Sequence, residues 1–179
     1  MLESALAYMG LQMAKFRFRS DADEVQSMTE FFRSARNVLV TLPMRYEYAV
    51  LASDALREVR AKRDNLQLTV IHTSTRSTSL ANFPNCEVIR IEPSDITRFS
   101  LPKKSFLRRV LNRRYDVAID VNLDFVLHTA YICRASRAYV RVGFSHETAD
   151  AFFNVQLKFN KNQTPQVLYR QLASCLSMF

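Results

Sequence analysis

Short apolar runs rich in β-branched residues recur along the chain, separated by helix-length amphipathic or turn-rich stretches, and this rhythm limits the fold more than any single motif. The runs are "VLVTL" (38–42), "LQLTVIHT" (66–73), "CEVIRIE" (86–92), "YDVAIDV" (115–121), "AYVRVGF" (138–144) and a last short one in "NVQLKF". Strands this apolar are covered on both faces, and their alternation with helices predicts an α/β fold with a mostly parallel sheet and flanking helices. Helices are expected near 47–62, 102–114, 124–136 and 164–177. An N-terminal helical extension (residues 1–35) precedes the α/β domain (36–179). Its first helix places Leu2, Leu6, Met9 and Met13 on one face, with Lys15, Arg17 and Arg19 following, interleaved with Phe16 and Phe18. A second helix is expected from Ser20 to about Arg36, burying Val25, Met28, Phe31 and Phe32.

In a parallel sheet, chemistry gathers at the carboxyl ends of the strands. The loops to watch are therefore 43–47, 73–77, 92–95, 121–124 and 144–148. The first, "PMRYEY", has no glycine, and the whole chain has two, Gly10 and Gly143. A backbone cradle for pyrophosphate needs glycine, and no GxGxxG, Walker, HExxH or GxSxG pattern occurs. By itself the chain is not expected to be a nucleotide-binding enzyme. The three scattered cysteines form no CxxC pair, which fits free thiols in a reducing cytoplasm. The dispersed histidines offer no zinc spacing, so neither metal nor cofactor is expected. No apolar run approaches the length of a membrane span, and the N-terminal charges follow the apolar part, unlike a secretory signal. Lys and Arg exceed Asp and Glu by 25 to 17, giving +8, which favours anionic partners without choosing among them.

Within these loops, Arg45 suits an anionic group, Tyr46 a ring, and Glu47 the role of general base toward a hydroxyl. Glu47 equally suits a helix N-terminus, where the dipole favours a carboxylate. The strand end "AIDVNLD" brings Asp120, Asn122 and Asp124 to the same edge. Asp124 reads as the cap of the following helix, while a buried Asp120 would need partners. His128 lies one turn further on, facing either cleft or core. Lys103, Lys104, Arg108, Arg109, Arg113 and Arg114 crowd the helix expected at 102–114, opposite an apolar arc of Phe106, Leu107, Val110 and Leu111. That face suits lipid or nucleic-acid phosphates, or simply solvent. No nucleic-acid-reading motif accompanies it, so nucleic acid is the weaker partner class.

The segments "NVLVTLP", "DALREVR", "LQLTVIHT", "YDVAIDVNLDFVLHTAYICRASRAYVRVGF" and "TADAFFNVQL", closed by "TPQVLYRQLASCL", resemble in their order the N-terminal half of lipopolysaccharide heptosyltransferases, the ADP-heptose-using glycosyltransferase family. The resemblance covers roughly residues 36–178. It implies a GT-B arrangement of which this chain is one Rossmann-like half, the half that receives an anionic sugar acceptor. It also implies inverting transfer without a catalytic metal and a bacterial cytoplasmic setting, peripheral to the inner membrane. The family's base follows the first strand in a Gly-Asp pair, whereas "RYEY" stands here, with Glu47 the nearest carboxylate. The half that would hold the ADP-sugar lies outside these residues.

Three readings follow. One is a degenerate, non-catalytic glycosyltransferase-like module acting through protein–protein interaction, with the Leu2, Leu6, Met9 and Met13 face meeting a partner or an identical subunit. A second is the acceptor-binding half (Arg45, Tyr46, Asp120, Asn122, His128) of a split heptosyltransferase. A third is a basic module for an anionic lipid, such as a glycolipid or the inner membrane surface, or for nucleic acid.

Overall fold

The computed structural model describes residues 2–21, 34–63, 65–73, 86–158 and 162–177. Helix α1 (Leu2–Phe18) comes first. It is followed by β1 (Asn37–Thr41), α2 (Tyr46–Lys62), β2 (Gln67–His72) and β3 (Cys86–Arg90). After a 3₁₀ turn at Pro93–Asp95 come α3 (Lys104–Val110), β4 (Val117–Asp120), α4 (Leu127–Ala135) and β5 (Val140–Phe144). A further 3₁₀ turn, Ala149–Ala151, leads to β6 (Val155–Leu157) and α5 (Pro165–Ser177). The helix expected after Ser20 and the turn-rich stretch before Cys86 lie almost wholly outside the described residues.

The strands form one sheet in the order β3-β2-β1-β4-β5-β6, each pairing parallel to its neighbour. This is the Rossmann-like α/β arrangement that the sequence predicts. Strand alternation sorts its side chains into two cores. Val38, Val40, Val70, Val117, Ile119 and Val142 face α2 and α5. Leu39, Ile71, Ile89 and Ala118 face the other layer, built from α1, α3 and α4. Asp116 ties the amino ends of β1 and β4 together, its Oδ2 accepting from the amides of Arg36 and Asn37 at 2.8 Å each.

Both glycines serve internal packing. A Cβ on Gly10 would stand 1.9 Å from the carbonyl oxygen of Phe99, so α1 rests directly on that backbone. A Cβ on Gly143 would meet the ring of buried Phe153 at 2.6 Å. Neither glycine adopts positive φ; that conformation falls on Ser100 (φ 58) and Arg137 (φ 54).

Several helix limits differ from the sequence expectation. Helix α1 runs four residues further, to Phe18, absorbing the basic-aromatic run. It packs through Gly10, Ala14 and Phe18, with Phe18 against Tyr131 of α4 at 4.9 Å between ring centres. The leucine-methionine face is therefore not the seat of the helix, and Met9 and Met13 are each 51% exposed. Helix α3 ends at Val110, where Leu111 leaves helical backbone, so Arg113 and Arg114 lie beyond it. Helix α4 starts only at Leu127, with Val126 as its N-cap; Asp124 does not cap it.

Candidate active-site edge

The strand order reverses direction between β1 and β4, and the crevice of such a sheet opens there, at the carboxyl ends. Parallel pairing sets Thr41, the last residue of β1, beside Asp120, the last of β4. Both side chains fall on the α4 face and are buried. Asp120 Oδ1 accepts from Thr41 Oγ1 at 3.0 Å, from the Asn122 amide at 3.1 Å and from Asn122 Nδ2 at 2.6 Å. Its Oδ2 lies 2.7 Å from Thr129 Oγ1 in α4, and that hydroxyl is also 2.9 Å from the Val126 carbonyl. Burial raises the Asp120 carboxyl above its ordinary value, and the hydrogen bonds from Asn122, Thr129 and Thr41 only partly oppose it. Beside this cluster, burial also raises the Cys133 thiol, with the Asp120 charge adding to it. Tyr169 of α5 closes the far side, donating its hydroxyl to the Val121 carbonyl at 3.0 Å.

The other residues singled out in the sequence sit around this core. Arg45 is the N-cap of α2 and exposed, its guanidinium 5.5 Å from the Tyr48 ring centre. Glu47 is exposed in the first turn of α2, where the helix dipole favours it. Tyr46 and Met44 expose 42% and 55% of their surface beside them. His128 is buried, and its Nε2 has no hydrogen-bond partner among the described residues. Desolvation lowers its pKa to about 4, so at neutral pH it is an uncharged core residue. Thus Arg45, Tyr46 and Glu47 form an open surface, while Asp120, Asn122 and His128 are turned inward.

A small hollow with room for about one water lies at the ends of β4 and β5, lined by Asp120, Asn122, Asp124, Phe125 and His146. The His146 ring stacks on Phe125 at 5.4 Å. Thr41, Thr129, Phe125 and His146 were not singled out from the sequence. Thr41 and Thr129 become visible only through the register that sets β1 against β4. Among the described residues no group of three or more His, Cys, Asp or Glu is placed to hold a metal ion.

The basic cluster is not one patch. Lys103 and Lys104 start α3 at the carboxyl edge, and the helix returns toward the amino edge, where Arg113 and Arg114 precede β4. Arg109 binds the Arg90 carbonyl at 3.1 Å and Asp95 at 3.3 Å, and Arg113 pairs with Glu87 at 2.5 Å. Among the described residues no helix is long and apolar enough to cross a membrane.

A profile of a family of unknown function, DUF6913, matches residues 13–179. No curated protein sequence matches the chain. Among solved structures, a glycosyl transferase family 9 protein from Veillonella parvula superposes with a TM-score of 0.63 at 18% identity, over 80% of this chain and 42% of that one. The E. coli heptosyltransferase WaaC with ADP gives 0.59 at 17% identity, over 78% and 46%. The E. coli ADP-heptose LPS heptosyltransferase II gives 0.59 at 18% identity, over 76% and 40%. The chain thus spans less than half the length of each, and at these identities the likeness is one of fold.

Proposed function

The chain belongs to DUF6913, a family of unknown function, and from that premise we propose that it is a glycosyltransferase-like module without transfer chemistry of its own, acting by docking a protein partner at its carboxyl edge. The observation that carries this reading is the closure of the crevice. Asp120, the carboxyl buried at the switch point, spends its oxygens on Thr41, Asn122 and Thr129. Glu47, the carboxylate nearest the position of the family's base, stands exposed in a helix turn that accounts for it by the dipole alone. What this edge offers outward is Met44, Arg45 and Tyr46, residue types enriched at protein interfaces. Incubation with ADP-heptose and a lipopolysaccharide-core acceptor tests the first half of the claim: neither transfer nor donor hydrolysis is expected. Turnover that disappears in Glu47→Gln overturns it. Native purification with cross-linking tests the second half, and the partner recovered is expected to be lost from a Met44→Ser/Tyr46→Ala variant that still folds.

A second reading, the acceptor-binding half of a split inverting heptosyltransferase, rests on the likeness of fold to heptosyltransferases. A stoichiometric companion chain carrying a glycine-rich donor half, with transfer restored on mixing, would establish it in place of the first.

A further inference from the structure

Helix α1 is apolar on both sides, and only one side is used. Gly10, Ala14 and Phe18 seat it on the Phe99 backbone and on α4. At 100° per residue, Tyr8, Met9, Met13 and Phe16 share the opposite arc, about 140° wide, with exposed Gln12. These four are 64%, 51%, 51% and 64% exposed and make up half of the large apolar side chains exposed among the described residues. The C-terminal end of the arc is cationic, with Lys15 and Arg17 in the last turn of α1 and Arg19 just past it. Arg19 lies over the Phe16 ring at 4.1 Å. Among the described residues neither Arg17 nor Arg19 is held in an ion pair. Beside the arc an open hollow of about 910 Å³ runs between Met13, Phe16, Leu101 and Tyr131, with Arg17 and Arg19 in its lining. Lys103 and Lys104, both exposed, follow Leu101 after Pro102.

We propose that this face of α1 is a docking surface for an anionic phospholipid bilayer, on which the helix lies flat with Met9, Met13 and Phe16 among the acyl chains and Lys15, Arg17 and Arg19 at the phosphates. Exposed apolar side chains beside a cluster of cations are the two elements by which a helix adheres to an anionic lipid surface. A second copy of the chain fits less well, because it would bring up a face with the same net positive charge. Each cation near an anionic membrane surface contributes about 1 kcal/mol, a factor of roughly five in binding. The inference stands independently of the protein partner proposed above.

The chain contains no tryptophan, so a Phe16→Trp variant carries a single reporter. With vesicles of phosphatidylglycerol and phosphatidylethanolamine, its emission is expected to shift to the blue and the protein to sediment with the lipid. Vesicles of phosphatidylcholine alone should produce neither effect. Arg17→Glu/Arg19→Glu is expected to weaken sedimentation at least 25-fold (two factors of about five), and Met9→Ser/Met13→Ser to abolish the shift while the circular dichroism stays that of the parent. No binding to anionic vesicles, or equal binding to neutral ones, overturns the proposal. So does a dimer in light scattering without lipid that Met9→Ser/Met13→Ser dissolves, which would give the face to a second copy.

Discussion

Asp120 is expected to hold its proton to a higher pH than an ordinary aspartate, because burial raises its carboxyl. The argument is a count of protons. Three donors converge on Oδ1, from Thr41 and twice from Asn122. The Thr129 hydroxyl has one proton and two acceptors in reach, Oδ2 at 2.7 Å and the Val126 carbonyl at 2.9 Å. If Thr129 donates to Val126, the proton between Thr129 and Oδ2 must come from Asp120 itself, and burial pushes its pKa in that direction. A raised carboxyl favours folding most at low pH. Its contribution is complete below the unfolded value near 4 and is lost as pH rises through the folded one, by about 1.4 kcal/mol for each pH unit between them. Asp120→Asn keeps the acceptor on one side and a donor on the other. It is expected to lie within about 1 kcal/mol of the parent at pH 4 and to become the more stable of the two as pH rises to 8. Asp120→Ala leaves the Thr41 hydroxyl and the backbone and side-chain amides of Asn122 without their buried acceptor. At about 1–3 kcal/mol per unsatisfied group, and less than additively, the loss should be about 3–5 kcal/mol. Urea unfolding at pH 4, 6 and 8 reads all three proteins, and the carboxyl ¹³C shift of Asp120 reads the proton directly. A parent that gains stability over Asp120→Asn as pH rises would refute the reasoning and show the site holding a carboxylate.

His128 titrates in the opposite sense. Its pKa is lowered from 6.5 to about 4 by burial, so its contribution is present above pH 6.5 and lost as pH falls toward 4, roughly 3 kcal/mol in all. His128→Leu should flatten that limb of the stability profile. Gly10→Ala must lift α1 from the Phe99 carbonyl and is expected to cost about 1–3 kcal/mol and to raise amide exchange across residues 6–18 ahead of the sheet. Gly143→Ala should cost a similar amount by pressing on the Phe153 ring, and Phe153→Leu in the same chain should recover most of it, as thermal unfolding would show. Arg137→Gly, at the left-handed residue just past α4, should raise stability by about 0.5–1 kcal/mol in the same assay; no gain would mean that its conformation carries no strain.

The α/β class and all six strands were legible because a strand covered on both faces must be largely apolar, and "VLVTL" or "YDVAIDV" satisfies no other demand so well. Boundaries were less legible where they depend on tertiary contacts. Nothing in "LPKKSFLRRVLNRRYD" marks Val110 as the end of α3, because the apolar arc continues through Leu111. Asp124 looked like a cap because the sequence does not reveal that the chain bends at Leu123 and Asp124 and enters the helix only after Val126, with Phe125 turned onto His146. The candidate site followed the same division. Asp120 was found from its position at a strand end, but its partners Thr41 and Thr129 lie 79 and 9 residues away, and only the register of β1 against β4 joins them.

The scarcity of glycine has the same physical basis. A phosphate-binding loop spends glycine where the backbone must approach a ligand. Here both glycines are spent where the backbone or sheet must approach the protein itself, Gly10 on Phe99 and Gly143 on Phe153. Even the left-handed turns were left to Ser100 and Arg137. With no glycine at the carboxyl edge, the β1–α2 loop presents side chains outward, and the crevice is closed beneath them by the hydroxyls and amide that Asp120 holds. A sheet edge built in this way can be a surface for another macromolecule. To become a nucleotide pocket, it would first have to give up the hydrogen bonds that join β1, β4 and α4.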